Sequence, residues 1–316
     1  MNPEGLTVGV VMDPITRIHP ETDTTLGLLL AAQARGCTLF YMTLKDLYLD
    51  KGVARSRMRP LLVKSNKTDW HNVGPSTDQS LDKLDVILMR KDPPVDERYI
   101  YATYILEKAE GAGVRVLNKP SALRGLNEKF LATFFPHCMA PTLVSCSRKK
   151  IHEFIKSFAE VVIKPLGERG GNGIFKTKAC DPNLNSMLDL LTHNGTLYIM
   201  AQEFLPALYE TGDKRIILLN GKPLTYALAR KPAANDFRAN MVAGGTAEGA
   251  ILTESDQRIC QEVGKVLMNY GIVFAGLDII GDSLTEINIT SPTGVRVLEK
   301  IFNADISGKI WEEMIK

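Results

Sequence analysis

Three oxygen-bearing side chains near the end of the chain could together hold a hard cation. Glu286 and Asn288 are two positions apart, so on a β-strand their side chains would point to the same face. Asp278 lies on a preceding apolar segment, and the turn-forming residues 281–283 predict a β-hairpin between them. Two carboxylates and one amide carbonyl suit Mg²⁺ shared with phosphates better than zinc or copper. The polar face of an amphipathic strand explains the same spacing equally well.

A glycine-rich segment, residues 164–173, could bind phosphate. It lies between two apolar strand segments; glycines let backbone N–H groups approach phosphate oxygens, and Lys164 adds a positive charge. It is neither a P-loop nor a dinucleotide fingerprint, because neither glycine pattern is present. A plain tight turn explains these glycines as well.

Further cations follow along the chain. Arg215 and Arg230 lie on or beside two strands joined by Asn220-Gly221, which is a strong hairpin signal, and Arg238 follows in a polar loop. Arginine can hold a carboxylate or phosphate at two points, although most exposed arginines are only solvated. Lys129, on a short predicted helix, is by itself a surface lysine. These cations, the glycine segment and the oxygen triad belong together if the protein holds a nucleotide and a second anion.

The elements that would carry these residues predict an α/β fold. Strands alternate with helices up to about residue 120, which indicates a parallel sheet with crossovers. We expect three units, residues 1–120, 121–200 and 201–316. Residues 51–80 are polar and predict a hairpin insertion or a long loop, and residues 232–249 predict a polar loop. Residues 202–205 end a strand whose edge could offer backbone groups to an adenine, although a strand-to-loop transition explains them better.

Composition excludes several classes of protein. The chain has 316 residues, 45% of them hydrophobic and 23% charged, and a net charge of +2, which gives no footprint for nucleic acid or an anionic membrane. Its apolar runs are too short to span a bilayer, so we expect a cytoplasmic protein. The five cysteines are scattered without a Cys-x-x-Cys pair, which favours free thiols. The histidines lack the spacing of a zinc protease.

Several blocks resemble those of a known family. Asn127-Glu128-Lys129 and residues 12–15, 46–49, 88–94, 99–104 and 284–294 are similar to the pattern of bacterial glutathione synthetases, which are ATP-grasp ligases. The resemblance covers essentially the whole chain. It implies an ATP-grasp fold preceded by a parallel α/β domain, and ATP-dependent ligation of γ-glutamylcysteine and glycine through an acyl phosphate. It also implies a homotetramer or homodimer, without a nucleic-acid or membrane partner.

The resemblance assigns roles to residues. ATP phosphates would contact Lys129 and Lys164, with Gly170 and Gly171 in a loop over the nucleotide. The adenine pocket would be lined by Gln202, Glu203, Phe204 and Leu205, and the ribose would face Asp213. Two Mg²⁺ ions would be held by Asp278, Glu286 and Asn288. The acyl phosphate, the tetrahedral intermediate and substrate carboxylates would face Arg215, Arg230, Arg238 and Ser291, under a lid formed by residues 232–249.

The chain departs from the family pattern at two loops. Residues 167–171 read Gly-Glu-Arg-Gly-Gly where the family usually has Asp-Gly-Met-Gly-Gly. Residues 234–240 differ from the common lid sequence Gly-Gly-Glu-Thr-Arg-Gly-Asn, and Thr246 replaces an arginine. Two other interpretations therefore stay open: a sister ATP-grasp ligase with another acid and amine, and a regulatory protein that binds a nucleotide without turnover.

Overall fold

The computed structural model describes residues 4–239 and 244–316, whose strands form three sheets. None of the helices in these two ranges has the length and apolar character needed to cross a membrane.

The N-terminal sheet is mixed, with a parallel centre. Its strands are β1 (Thr7–Met12), β2 (Thr38–Met42), β3 (Leu47–Asp50), β4 (Val53–Val63), β5 (His71–Val73), β6 (Thr77–Ser80), β7 (Val86–Arg90) and β8 (Arg115–Leu117). β1 pairs in parallel with β2 and β7, and β7 with β8. Helices α1 (Thr24–Ala34) and α2 (Glu97–Gly111) provide crossovers between parallel strands. The predicted parallel sheet with crossovers is confirmed.

Residues 51–80 are more regular than their composition suggests. The buried side of β4 changes along the strand: Ala54 and Met58 are buried in one core cluster, whereas Leu61 and Val63, on the other face, are buried in a second one. It pairs antiparallel with β2, β3, β5 and β6. Three arginines, at positions 55, 57 and 59, stand beside the buried residues and give the segment a polar composition. The long-loop prediction is therefore wrong, and the hairpin insertion is confirmed.

The central sheet is antiparallel and has two unlike faces. It follows helices α3 (Pro120–Gly125) and α4 (Glu128–Ala132), and contains β9 (Thr142–Ser145), β10 (Val161–Pro165), β11 (Phe175–Thr177) and β12 (Ile199–Glu203). Helices α5 (Arg148–Lys156) and α6 (Leu184–Thr192) share an apolar cluster with Val161 and Ile163 of β10. Because strand side chains alternate, Val162 and Lys164 point to the opposite face.

The C-terminal sheet has the order β15-β14-β13-β16-β17. Its strands and the helices around it are α7 (Ala207–Glu210), β13 (Asp213–Leu219), β14 (Lys222–Lys231), β15 (Thr246–Ile251), α8 (Glu254–Asn269), β16 (Phe274–Ile280), β17 (Ser283–Asn288), α9 (Val295–Phe302) and α10 (Ile306–Ile315). Asn220 and Gly221 both have positive φ, 49° and 73°, as the hairpin signal between β13 and β14 requires. β15 starts at Thr246, so the loop predicted for residues 232–249 ends earlier than expected.

Apolar packing joins the first and last parts of the chain. The side chain of Trp311 on α10 is fully buried in one cluster with Leu28 of α1. A second cluster joins Phe135, which follows α4, to Ile259 of α8. The N-terminal and C-terminal sheets therefore share cores, and these cores fix the walls of the cavity between them.

Candidate functional site

The hairpin of β16 and β17 presents the predicted oxygen ligands on one face. Asp278 lies directly opposite Glu286, and Asn288 lies opposite Gly276. Thr285 Oγ1 donates to the backbone carbonyl of Asp278 (3.1 Å), where the register of the two strands shifts. The structure thus brings together two carboxylates and one amide at one end of the C-terminal sheet.

Asp278 is held by four donors. Arg215 binds it in two places, Nε to Oδ1 (2.5 Å) and Nη2 to Oδ2 (2.8 Å), while Arg230 Nη2 lies 3.0 Å from Oδ1. Asn288 Nδ2 donates to Oδ2 (3.2 Å) and to the carbonyl of Gly276. Burial acts to raise the pKa of Asp278, but the two guanidinium groups outweigh it and hold this pKa well below its usual range. Asp278 is therefore ionised and orients both arginines.

One carboxylate oxygen of Asp213 is buried without a hydrogen-bond donor among the described residues. Its Oδ2 binds Arg230 Nη2 (2.5 Å), but its Oδ1 is buried without a hydrogen-bond partner among the described residues. Burial raises the pKa of Asp213 to about 6, against the charge of Arg230. A buried unpaired acceptor is costly, so a hydroxyl donor from a ligand would relieve it.

Two lysines enter the site from different elements. Lys129 on α4 donates to Glu286 Oε1 (3.1 Å) and to the carbonyl of Glu168 (2.6 Å). Lys164 on β10 donates to Gln202 Oε1 on neighbouring β12 (2.8 Å), and burial lowers its pKa. Lys129 is buried and Lys164 is partly buried, which is expensive for a charge unless anions face it.

The glycine-rich segment forms an open loop between β10 and β11. Gly170 and Gly171 have φ of 64° and 81°, a conformation that favours glycine. Asn127 Nδ2 donates to the carbonyl of Leu166 (2.8 Å), and Arg169 Nη1 lies 2.5 Å from Asp92 Oδ2 in the N-terminal region. The loop thus spans from the central sheet to the region after β7.

The end of β12 borders an apolar slot. Phe204 is buried and belongs to a cluster with Val162 and Leu208, against which Ile174 packs. Gln202, Glu203 and Leu205 line the same cavity. A flat aromatic ring would find apolar walls here, beside the end of the strand.

Arg238 and Ser291 lie on opposite loops of the site. Arg238 binds Asp236 through two nitrogens, with Nη2 2.7 Å from Oδ2. Residues 240–243, part of the predicted lid, lie outside the described residues. Ser291 follows β17 and its hydroxyl donates to the carbonyl of Arg90 (3.4 Å). The same turn is fixed by Glu128, whose Oε1 accepts from the backbone N–H groups of residues 289 and 290.

One cavity of about 610 Å³ collects all of these groups. Every residue assigned to catalysis, nucleotide or metal from the sequence lines it: Arg215, Arg230, Arg238, Ser291, Lys129, Lys164, Gly170, Gly171, Gln202, Glu203, Phe204, Leu205, Asp213, Asp278, Glu286 and Asn288. The residues are distant in sequence and come from α4, from the central and C-terminal sheets and from the loops that join or follow these elements. The cavity is large enough for a nucleotide and further ligands.

Sequence reasoning missed the wall that the N-terminal region contributes. Asp13, Arg17, His19, Asp23 and Asp92 line the cavity. In the sequence, Asp13-Pro14 and Asp92-Pro93 indicate the ends of strands, and Asp23 indicates a helix cap. Asp23 does cap α1, since its Oδ1 accepts from Leu26 N–H. The available signal was their position: polar residues after the carboxyl ends of parallel strands meet at one edge of the sheet.

The fold defines the class of protein. Two solved structures resemble it over nearly their full length: D-cycloserine synthetase DcsG (TM-score 0.67, 13% identity, 98% of both chains) and the ATP-grasp ligase PsnB with its minimal precursor (TM-score 0.63, 17% identity, 98% of this chain and 99% of that one). At these identities the likeness shows the fold, and the predicted ATP-grasp α/β fold is confirmed.

Closer relatives define the family. The profile of the prokaryotic glutathione synthetase N-terminal domain matches residues 6–124, and that of its ATP-grasp domain matches residues 128–303. Glutathione synthetases of Pseudomonas putida and Escherichia coli O127:H6 are 51% and 46% identical to the chain, each over 96% of both sequences. The chain belongs to the prokaryotic glutathione synthetase family. The predicted function, a glutathione synthetase that works as an ATP-dependent carboxylate–amine ligase with ATP and Mg²⁺, is thereby confirmed.

Proposed function

We propose that the cavity between the three sheets condenses γ-glutamylcysteine with glycine and converts ATP to ADP and phosphate. The observation that carries this proposal is the convergence of all the assigned residues on one cavity. The names of the relatives supply the substrate pair, and the geometry supplies a role for each residue.

The nucleotide would enter between the central and C-terminal sheets. Its adenine fits the apolar slot beside Phe204, with backbone groups of residues 202–205 at its edge. The free Oδ1 of Asp213 would accept from a ribose hydroxyl, which satisfies the buried acceptor. Phosphate oxygens would replace the present partners of Lys129 and Lys164, under the N–H groups of Gly170 and Gly171.

The side-chain oxygens of Asp278, Glu286 and Asn288 fit Mg²⁺. Asn288 is turned with Nδ2 toward Gly276 and Asp278, which leaves Oδ1 as a ligand, and Glu286 adds a carboxylate. A carboxylate has about four lone-pair sites, and those of Asp278 are filled by four hydrogen-bond donors. Asp278 can therefore bind Mg²⁺ once one of these donors moves away. Two bound Mg²⁺ ions would neutralise the phosphates so that an anionic carboxylate can approach them.

The reaction then needs no protein nucleophile. The cysteinyl carboxylate oxygen attacks the γ-phosphorus and the bond to ADP breaks, which gives an acyl phosphate. The glycine amine attacks the acyl carbon, loses a proton and displaces phosphate. Arg215 and Arg230, fixed by Asp278, would stabilise the charge on the tetrahedral oxygens. Arg238, Ser291 and the lid would hold substrate carboxylates and exclude water from the acyl phosphate.

Three further features belong to the same proposal. We infer that residues 1–120, 121–200 and 201–316 act as three units, each with one of the sheets at its centre, although β12 extends to Glu203. We also propose a cytoplasmic enzyme that works as a homotetramer or homodimer on small molecules. Size measurement in solution tests the oligomer.

The direct test is an assay of purified protein with ATP, Mg²⁺, γ-glutamylcysteine and glycine. We expect ADP release that depends on both substrates and forms glutathione. Glu286→Gln should reduce turnover by about 10²-fold or more, because it removes charge at the metal. Lys108→Gln, on the distant helix α2, is the matched control and should behave as wild type. ADP release without a need for glycine would argue for another acceptor, and ATP binding without turnover of any amine would argue for a regulatory protein.

A further inference from the structure

A cluster of three unlike ligands lies outside the cavity, where the turn after α4 meets α8. His137 and Cys138 end the 3-10 turn Pro136–Cys138, and Glu262 lies on α8. His137 Nε2 lies 2.6 Å from Glu262 Oε1, and Cys138 Sγ lies 3.7 Å from Glu262 Oε2. One atom from each of the three side chains lies within 4.8 Å of the others. Among the residues that the structure describes, no other trio of His, Cys, Asp or Glu converges in this way.

We propose that His137, Cys138 and Glu262 form a binding site for a borderline divalent cation, with Zn²⁺ as the ion that fits best. Imidazole nitrogen, thiolate sulfur and carboxylate oxygen are the three ligand types that zinc takes in proteins. Thiolate and imidazole together select against Mg²⁺, which keeps to oxygen ligands. The site is therefore distinct in chemistry from the oxygen ligands of the cavity.

The distances require small side-chain movements. Ligand atoms around a tetrahedral Zn²⁺ are about 3.3–3.7 Å apart, given bonds of about 2.0–2.3 Å. The distance from Cys138 Sγ to Glu262 Oε2, 3.7 Å, already fits, and the shorter contact between His137 and Glu262, 2.6 Å, has to open by about 1 Å. The side chain of His137 is 65% exposed and that of Glu262 is 37% exposed, so both can move and an ion can enter. Water would complete the coordination.

Charge also favours an ion here. Cys138 Sγ lies 3.7 Å from the Glu262 carboxylate, so a thiolate at this position would face a second anion and the two would repel. A divalent cation between them removes that repulsion and favours the thiolate. The other charge that acts on the thiol is Arg258, one turn earlier on α8, whose Nη2 donates to Ser255 (3.1 Å).

Bound metal would tie the turn to α8. The turn follows α4, which carries Lys129, and Phe135 and Cys138 already belong to one core cluster with Ile259 of α8. The ion would therefore act as a cross-link between the entry to the central sheet and the C-terminal sheet's main helix. We expect it to stabilise the fold, since an ion that binds the native state alone shifts unfolding by mass action.

The test is a titration of the full-length, chelator-treated protein with Zn²⁺ and, separately, with Co²⁺. Saturating Mg²⁺ and a non-hydrolysable ATP analogue fill the oxygen ligands of the cavity beforehand. Wild type should bind one more Zn²⁺ than Cys138→Ser, and should gain thermal stability as Zn²⁺ rises. Co²⁺ should give a thiolate charge-transfer band in wild type and in the control Cys180→Ser, whose exposed thiol lies elsewhere, but not in Cys138→Ser.

Cys138 is buried, so Cys138→Ser could fold poorly. His137→Gln and Glu262→Gln change side chains that are partly exposed, so these variants should fold and can test the site in its place. Each should weaken Zn²⁺ binding by about 10-fold or more, which is the least that loss of an outer-shell partner costs. Equal stoichiometry and affinity in wild type and in these two variants would overturn the site. So would a Co²⁺ band that survives in Cys138→Ser.

Discussion

The contact between Arg169 and Asp92 allows a direct test of how the glycine loop closes. The loop belongs to the central sheet, and Asp92 follows β7 of the N-terminal sheet. Arg169 stands where the family usually has methionine, which could not form this ion pair. We expect it to hold the loop over the nucleotide, and its loss to weaken ATP binding.

The structure limits the size of the effect. The side chains are 54% and 33% exposed, so water screens their 2.5 Å contact and the pair contributes about 0.2–1 kcal/mol. That free energy corresponds to a change of about 1.4- to 5-fold in an equilibrium constant. We therefore expect Arg169→Met, which restores the family's residue type, to raise the KM for ATP within that range and to leave kcat nearly unchanged.

The assay is ADP release at varied ATP with the other substrates saturating. Asp92→Asn should raise the KM for ATP as much as Arg169→Met, and the double variant should add little, because either change removes the same interaction. The effect should fade in 1 M salt, where charges are screened beyond about 3 Å. Arg98→Met, which breaks an exposed pair with Asp96 at the start of α2, is the control and should leave the KM unchanged.

Two results would refute this reasoning. Additive effects of the two single variants would mean that Arg169 and Asp92 act separately. An increase much above 5-fold in Arg169→Met alone would mean that the guanidinium binds the nucleotide itself rather than the N-terminal wall.

Three more predictions concern stability and follow from single contacts. Lys214→Met should lower the free energy of unfolding by about 3–5 kcal/mol in denaturant titrations, because it leaves the fully buried carboxylate of Asp256 unpaired; a loss below 1 kcal/mol would contradict this. Gly264→Ala on α8 should lower the free energy of unfolding by about 1–3 kcal/mol, since the new Cβ would lie 2.0 Å from the backbone oxygen of Gly221 in the facing hairpin. The control is Gly111→Ala on α2, whose Cβ would meet nothing within 4 Å and which should be neutral or stabilising. The pKa of Asp213 is raised from 3.8 to about 6, so protonated Asp213 stabilises the ligand-free fold below pH 4, and this contribution is lost as the pH rises through 6. Across that window the free energy of unfolding of wild type should fall by up to about 3 kcal/mol relative to that of Asp213→Asn. Parallel profiles of unfolding free energy against pH in the two proteins would contradict the shift.

Local pattern was enough to predict much of the fold and of the site. The spacing of Glu286 and Asn288, with a turn before them, predicts the hairpin that the structure contains. The sequence Asn220-Gly221 predicts another, because both residues tolerate positive φ. These features depend on neighbours in the chain. For residues 51–80 the sequence left a hairpin insertion and a long loop open, since the arginines of β4 give the segment a polar composition and its buried side changes along the strand.

Contacts between distant segments could not be read in the same way. Glu262 lies 124 positions from Cys138, and Arg169 lies 77 positions from Asp92, so no periodicity links either pair. The sequence also makes Asp278 a simple metal ligand, whereas in the fold its carboxylate is filled by Arg215, Arg230 and Asn288. A carboxylate with four donors has to give up one of them before it can ligate a cation. Metal entry and the positions of the arginines are therefore coupled through one side chain. Asp278→Asn should disturb both the Mg²⁺ dependence and the placement of the two arginines that face the tetrahedral intermediate, whereas Glu286→Gln should disturb the Mg²⁺ dependence alone.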